Sequence, residues 1–125
     1  MAHHNPVVYF EIPVVDMDRA MNFYSNVFEI TFIKTVIDGY EMATFPYDGK
    51  QFGASGALAK GSVYKPSKEG IFVYFGVDSI DKTLELVIQC GGRTLYPKKS
   101  NGELGFVAEF EDTEGNRIAL HEALK

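Results

Sequence analysis

The sequence predicts an α+β fold in which two copies of a βαβββ module form a curved, barrel-like mixed sheet around a groove. A strand followed by an apolar helix occurs at about residues 7–28 and again at about residues 71–90, displaced by roughly 63 residues. After each helix, apolar segments separated by turn signals predict three further strands. One module is too small to bury its own sheet face, so we expect a single domain over residues 1–125, with module one at about 6–60 and module two at about 70–123.

The elements of module one follow from periodicity. Alternation over residues 8–13 places Val8, Phe10 and Ile12 on the face toward a helix and leaves Tyr9 and Glu11 on the other face. The helix begins near Asp16, a typical N-cap residue. Its apolar stripe comprises Met17, Ala20, Met21, Tyr24, Val27 and Phe28. Strands are then predicted at about 30–37, 41–47 and 52–59, with turns at Asp38-Gly39 and Asp48-Gly49.

Module two repeats this order after residues 61–70, whose Ser, Lys and Pro content is typical of a linker. Its first strand starts at Ile71, and its helix, at about 79–89, ends at Gly91-Gly92, which suits a left-handed C-terminal cap. Strands are predicted at about 93–97, 105–111 and 116–122, with the last hairpin turning at Thr113-Glu114-Gly115. A ferredoxin-like sandwich is the nearest alternative, but that fold does not need three successive strands after each helix.

The composition disfavours several classes of partner. Twelve basic and 17 acidic residues give a net charge of -5, which repels nucleic-acid phosphates and anionic lipids, so we expect neither nucleic acid nor membrane as a partner. No apolar run is long enough for a signal peptide or a membrane span, and Cys90 is the only cysteine. These features predict a cytoplasmic protein. His3 and His4 are either native or added residues and can bind stray metal.

The segments that open and close the chain are typical of a known family. The opening segment at 9–14 is followed by Asp16, and residues 106–118 close with Asp112-Thr113-Glu114-Gly115-Asn116-Arg117-Ile118. With the paired modules, they make nearly the whole chain resemble the vicinal oxygen chelate superfamily of glyoxalase I, bleomycin resistance proteins and extradiol dioxygenases. The resemblance implies the fold more strongly than the reaction, since one fold hosts several chemistries. It also implies a homodimer, because this family commonly pairs modules across two chains.

The resemblance also locates where a metal would bind. Metal-using members hold a divalent ion in the groove through four side chains, typically His or Glu, on the first and fourth strands of each module. The corresponding positions here are Tyr9, Ser55, Phe72 and Ala119. A divalent ion needs several N, O or S donors converging at about 2 Å, so we expect no metal and no cofactor. The alternative is a relocated metal site that uses His121 with Glu11 or Glu109.

Strand alternation predicts the side chains that line the groove. The candidate ligand-binding residues are Tyr9, Glu11, Phe72, Tyr74, Glu109, Ala119 and His121, with Arg117 on the same face, together with Ser55, which the resemblance places at a metal-ligand position. An aromatic surface with a few acidic groups suits a flat or cationic small molecule. In the structural alternative, Tyr9, Phe72 and Tyr74 fill the interior as core. An inward Glu11 carboxylate needs a partner, which we expect to be His121, Arg117 or a ligand.

The leading functional hypothesis is a metal-independent protein that binds or sequesters a small molecule, as the resemblance to bleomycin resistance proteins implies. No catalytic residue is assigned, because Cys90 is expected to face the core and no nucleophile lies beside a base. His121 is a strand-end histidine, exposed or paired with a carboxylate, or else a ligand contact or a general base. The alternatives are a metal-dependent lyase, isomerase or dioxygenase of the same superfamily with a rearranged site, and an interaction module whose groove is filled by its own side chains.

Overall fold

The computed structural model describes residues 6–47 and 54–125 and contains the predicted βαβββ order twice. Module one comprises β1 (Tyr9–Val14), α1 (Met17–Phe28), β2 (Ile33–Ile37), β3 (Tyr40–Thr44) and β4 (Ser55–Lys60). Module two comprises β5 (Tyr74–Gly76), α2 (Ile80–Gln89), β6 (Arg93–Ser100), a 3-10 helix (Gly102–Leu104), β7 (Phe106–Glu111) and β8 (Arg117–Glu122).

Each module forms one four-stranded mixed sheet. The strand orders are β1-β4-β3-β2 and β5-β8-β7-β6, with the first and last strands of each module parallel and the others antiparallel. In the described residues the two sheets are separate in their hydrogen bonding and do not close into a barrel. The fold class is therefore confirmed, with the barrel left open.

Both helices begin and end as their sequences predict. Asp16 caps α1, its side chain accepting from the Arg19 backbone N–H at 3.0 Å, and Ser79 caps α2 in the same way. After α2 the chain turns at Gly91, whose φ of 101° is the left-handed conformation that favours glycine. Within the described part of the chain, no helix is long and apolar enough to cross a membrane.

Some predicted strand boundaries are wrong. β2 starts at Ile33 rather than at residue 30, because Phe32 turns into the core against Phe45. β5 pairs with β8 only from Tyr74, and β6 continues to Ser100 across two irregularities in its pairing. The Asp38-Gly39 turn is confirmed, with φ values of 54° and 81°. The predicted Asp48-Gly49 turn and the first residues of the strand at 52–59 lie outside the described residues.

The two modules share one hydrophobic core. Ile12, Ile118 and Leu120 are buried against the helices, as alternation predicts, but Val8 precedes β1 and is exposed, so its predicted place on this face is wrong. The Phe28 and Phe75 rings stack at 4.5 Å between centroids, joining α1 to the first strand of the other module. Cys90 packs half-buried against the same core, as predicted. The two modules therefore pack against each other through this core, and the opposite face of each sheet is left for a site.

The turn between β7 and β8 fastens module two to module one. Glu114, whose side chain is inaccessible to solvent, accepts hydrogen bonds from the backbone N–H groups of Val15 and Asp16, each at 2.8 Å. Arg19 meets the same carboxylate with two nitrogens, at 2.7 and 3.1 Å. Because Glu114 binds the two backbone N–H groups that immediately precede α1 and the Arg19 side chain in its first turn, it holds the ends of the two modules together.

Candidate functional site

The inner face of sheet one carries Tyr9 and Glu11, as the alternation predicts. In the β1–β4 register these residues lie beside Ser55 and Ala57. Ala57, Ala59 and Met42 are buried beneath Tyr40 and Tyr64, whose rings meet edge to face at 5.4 Å. Tyr64 comes from residues 61–70, so this segment is not the plain linker that its composition predicts. Part of the groove is thus filled by the protein's own side chains.

Glu11 is held by tyrosine hydroxyls. The Tyr9 hydroxyl donates to Glu11 Oε2 at 3.0 Å, and side-chain hydrogen bonding with Glu11 raises the pKa of Tyr64. Desolvation, then the bond to Glu11 and its charge, raise the pKa of Tyr9 to about 12. Among residues 6–47 and 54–125, no Lys, Arg or His nitrogen lies within 4.0 Å of the Glu11 carboxylate. The observed hydrogen-bond partner of Glu11 is therefore Tyr9, not His121 or Arg117.

Arg117 organises the inner face of sheet two. Its Nε forms a short charge-assisted hydrogen bond with Glu109, and the two residues lie on neighbouring strands. The guanidinium carbon lies 4.4 Å from the ring centroid of Phe72 and 5.1 Å from that of Tyr96. Hydrogen bonding to Glu109, and then its charge, raise the pKa of Arg117 despite the opposing effect of desolvation. The Phe72 ring is therefore in contact with the Arg117 guanidinium, and its binding of a ligand stays a prediction.

His121 lies apart from the carboxylates. Its Nε2 bonds to the backbone carbonyl of Leu104 in the 3-10 helix, and its neighbours in the sheet are Gly76 and Val107. The ring is half-buried at the end of β8. Of the interpretations drawn from the sequence, the structure matches a strand-end histidine, and its partner is a carbonyl rather than a carboxylate.

Ser55, Tyr74 and Ala119 lie along the junction of the two sheets. Ser55 Oγ donates to the Phe45 and Pro46 carbonyls, each at 3.3 Å. Ser55 and Tyr74 line a cavity of about 560 Å³ with several phenylalanine side chains. Ala119 is buried, and its register partners on the two neighbouring strands are Tyr74 and Glu109.

A second, smaller cavity lies where β1 meets the start of β8. Its volume is about 210 Å³, and its charged lining comprises Glu11, Lys65, Glu69 and Arg117. The structure therefore brings Glu11 of module one and Arg117 of module two to one cavity.

The family of the chain follows from comparison with known proteins. A sequence model of the "Glyoxalase/Bleomycin resistance protein/Dioxygenase superfamily" matches residues 7–120. The chain belongs to this superfamily. It is also similar to a "Glyoxylase-like domain-containing protein" of Didymella fabae, with 34% identity over 124 residues, or 96% of this chain and 95% of that protein.

Solved structures of the superfamily share the fold. A glyoxylase/bleomycin resistance protein/dioxygenase domain from Frankia sp. EAN1pec matches with a TM-score of 0.74 and 17% identity, covering 98% of this chain and 100% of that one. Glyoxalase I from Zea mays matches with a TM-score of 0.70 and 20% identity over 94% of this chain. The 125-residue chain covers only 46% of the length of the maize glyoxalase I chain.

The residues at the superfamily's metal positions do not fit a divalent ion. Phe72 and Ala119 have no donor atom, Ser55 donates its hydroxyl to carbonyls, and Tyr9 keeps its proton because its pKa is raised to about 12. Across residues 6–47 and 54–125, no group of three or more His, Cys, Asp and Glu side chains is arranged to hold a metal. The relocated set is not assembled, since Glu109 bonds to Arg117 and Glu11 to Tyr9.

Sequence reasoning missed four residues of this superfamily member's site. Tyr64, Lys65 and Glu69 lie in the segment taken as a linker, and Tyr96 lies on a strand whose irregular pairing blurs its alternation. The signal available for Tyr64 was a lone aromatic residue within a polar segment, which indicates packing against the domain.

Proposed function

We propose that this superfamily member binds a small aromatic cation on its inner face without a metal. The observation that carries the proposal is the Glu11 carboxylate, oriented by Tyr9 and, in the described part of the chain, lacking a basic side chain within 4.0 Å. A carboxylate in this position is an acceptor for a charge-assisted hydrogen bond from a ligand.

The surroundings of Glu11 favour a ligand with an aromatic ring. Tyr9 is 47% exposed and Tyr74 is 54% exposed, so both rings are available for contact. Tyrosine faces attract cations and stack with flat groups, and the net charge of -5 favours approach of a positive ligand.

The described side chains support binding rather than turnover. A covalent mechanism needs a nucleophile beside a base, whereas Cys90 lies against the core and His121 bonds to a backbone carbonyl. A homodimer and a cytoplasmic location remain predictions from the sequence and from the family resemblance.

Calorimetric titration with 2-phenylethylamine tests the proposal, with 2-phenylethanol as the uncharged analogue. We expect the amine to bind and the alcohol to bind about ten-fold more weakly or not at all, because only the amine forms the charged bond. Glu11→Gln should abolish the difference. Glu103→Gln, which changes an exposed carboxylate of the 3-10 helix, should leave it unchanged.

The titration uses a variant with His3→Ala and His4→Ala, so that these histidines bind no metal. Elemental analysis of the same sample should find no stoichiometric metal, and EDTA should leave amine binding unchanged. A stoichiometric metal whose removal abolishes binding would instead establish the metal-dependent alternative. Equal binding of the amine by Glu11→Gln would overturn the proposal.

A further inference from the structure

We infer that the ligand is a zwitterion, whose carboxylate binds Arg117 while its ammonium group binds Glu11. This inference rests on the proposed function for the Glu11 half of the site and adds an anion-binding half. It assigns the ligand to small molecules that carry both charges, such as aromatic amino acids.

Arg117 has donors that its intramolecular contacts do not use. Arg19 meets Glu114 with Nε and Nη2, but Arg117 meets Glu109 with Nε alone. Side-chain hydrogen bonding with Tyr96 also raises the pKa of Arg117, so the Tyr96 hydroxyl takes up part of the remaining donor capacity of the guanidinium and leaves the rest. The raised pKa keeps the guanidinium charged. Its remaining terminal N–H groups are therefore available to a carboxylate, which can accept two parallel bonds from a guanidinium.

The aromatic rings and Glu109 fix the guanidinium in place before any ligand arrives. Phe72 and Tyr96 lie 4.4 and 5.1 Å from its central carbon, and the side chain is only 26% exposed. Contacts to the ring faces leave the edge of the guanidinium for hydrogen bonding. Because the side chain is already ordered, binding of a ligand does not carry the entropic cost of ordering it.

The 210 Å³ cavity is lined by equal numbers of acidic and basic side chains. Its lining has two acidic side chains, Glu11 and Glu69, and two basic ones, Lys65 and Arg117. A ligand with one charge of each sign and no net charge meets complementary groups there, whereas a simple anion meets both carboxylates. The volume lies below the usual range of about 300–1,000 Å³ for drug-sized ligands, which favours a ligand of amino-acid size.

Asn116 sets the spacing between the two halves of the site. Its side-chain Nδ2 donates to the Pro13 carbonyl of β1 at 2.7 Å, and its Oδ1 accepts from the Ser67 N–H at 3.1 Å. The Arg117 N–H in turn donates to the Ser67 carbonyl at 3.3 Å. The strand with Glu11, the segment with Lys65 and Glu69, and the strand with Arg117 are thus joined at one residue.

Three probes with one carbon skeleton test the inference by calorimetric titration. L-Phenylalanine carries both charges, 2-phenylethylamine lacks the carboxylate, and 3-phenylpropanoate lacks the ammonium group. We expect L-phenylalanine to bind about ten-fold or more tightly than either of the others, since each half adds a charge-assisted contact.

Substitutions of Arg117 test whether this residue binds the carboxylate of the ligand. Arg117→Gln and the charge-retaining Arg117→Lys should both reduce the preference for L-phenylalanine over the amine. Arg93→Gln, which changes a 70% exposed arginine paired with Glu111, is the control and should leave all three affinities unchanged. Circular dichroism and thermal melting verify that each variant is folded.

The outcomes separate the inference from the proposed function. If amine binding depends on Glu11 and L-phenylalanine binds no more tightly than the amine, the zwitterion inference is wrong. The proposal of a cationic ligand then still stands. Arg117-dependent binding of 3-phenylpropanoate alone, or no binding of any probe, would overturn both.

Discussion

The Tyr24 hydroxyl donates a 2.6 Å hydrogen bond to Asp112 Oδ2, and both residues are buried where the two modules meet. Asp112 also accepts from the Glu114 N–H, the Asn116 N–H and the Asn116 side-chain amide, at 2.8 to 3.0 Å. A buried carboxylate is tolerated only when its oxygens are satisfied in this way. The hairpin residues Asp112, Glu114 and Asn116 therefore serve to join the modules.

Replacing Tyr24 with Phe should lower the free energy of unfolding by about 2 kcal/mol, because it removes one hydrogen bond to a buried charge and leaves the ring packing intact. Urea denaturation monitored by circular dichroism measures the change. Tyr47→Phe is a matched control, because the Tyr47 ring is exposed, and it should be neutral. Equal stability of both variants would show that the Tyr24 bond contributes no net energy.

Glu114 should make stability depend on pH in the acid range. Burial raises its pKa, but hydrogen bonds from Arg19 and from the Asp16 and Val15 backbone outweigh burial and leave the pKa below its ordinary value. A depressed folded-state pKa means that the stabilisation is complete above the unfolded pKa of about 4.3 and is lost as the pH falls through the folded value.

The test compares Glu114→Gln with the wild type by urea denaturation between pH 3 and pH 7. At pH 7 the variant should be less stable by about 2–3 kcal/mol, and the gap should narrow below about pH 4 as the wild-type carboxylate becomes protonated. Glu103→Gln, at an exposed position, should follow the wild-type curve. A constant gap across this range would contradict the assigned shift.

Much of the fold is predictable because it depends on local rules. The caps at Asp16 and Ser79, the turn at Asp38-Gly39 and the inward face of β1 each follow from a few neighbouring residues. β5 was predicted too long, since whether Ile71 joins a ladder depends on where β8 begins.

For the site residues, the sequence predicts only the face of the sheet on which each side chain lies. Alternation placed Glu11 and Arg117 on the inner surface, but it does not determine which side chains they meet. Tyr64 and Ser67 reach the site from a segment without periodicity, and their positions depend on contacts with residues distant in sequence, such as Tyr40 and Asn116. Contacts between residues that are distant in sequence produce no periodic pattern in a single sequence.

Gly92 is required by close packing. A Cβ at this position would lie 2.6 Å from the Glu111 carbonyl oxygen and 2.9 Å from atoms of Phe23 and Val87. Gly92→Ala should therefore lower the free energy of unfolding by about 1–3 kcal/mol, because the backbone carbonyl cannot move aside cheaply. Gly76→Ala is the matched control, since a Cβ there meets nothing within 4 Å, and it should not destabilise in urea denaturation.

Asn116 should control both stability and the order of the segment that carries Lys65 and Glu69. Asn116→Ala removes the donor to the Pro13 carbonyl and the acceptor for the Ser67 N–H, so we expect a loss of about 2–3 kcal/mol in urea denaturation. Amide hydrogen exchange should also become faster at Ser67 and at Arg117, whose N–H donates to the Ser67 carbonyl.

Asn101→Ala separates this local effect from a general loss of stability. Asn101 precedes the 3-10 helix and makes no side-chain capping bond, so its replacement should leave exchange at Ser67 unchanged. If Asn116→Ala accelerates exchange equally at Ser67 and in the core of α1, global unfolding would explain the result. Faster exchange confined to residues 65–71 and to the start of β8 would show that Asn116 positions the charged side chains of the cavity directly, because the Ser67 N–H bonds to its side-chain amide and the Arg117 N–H bonds to the Ser67 carbonyl.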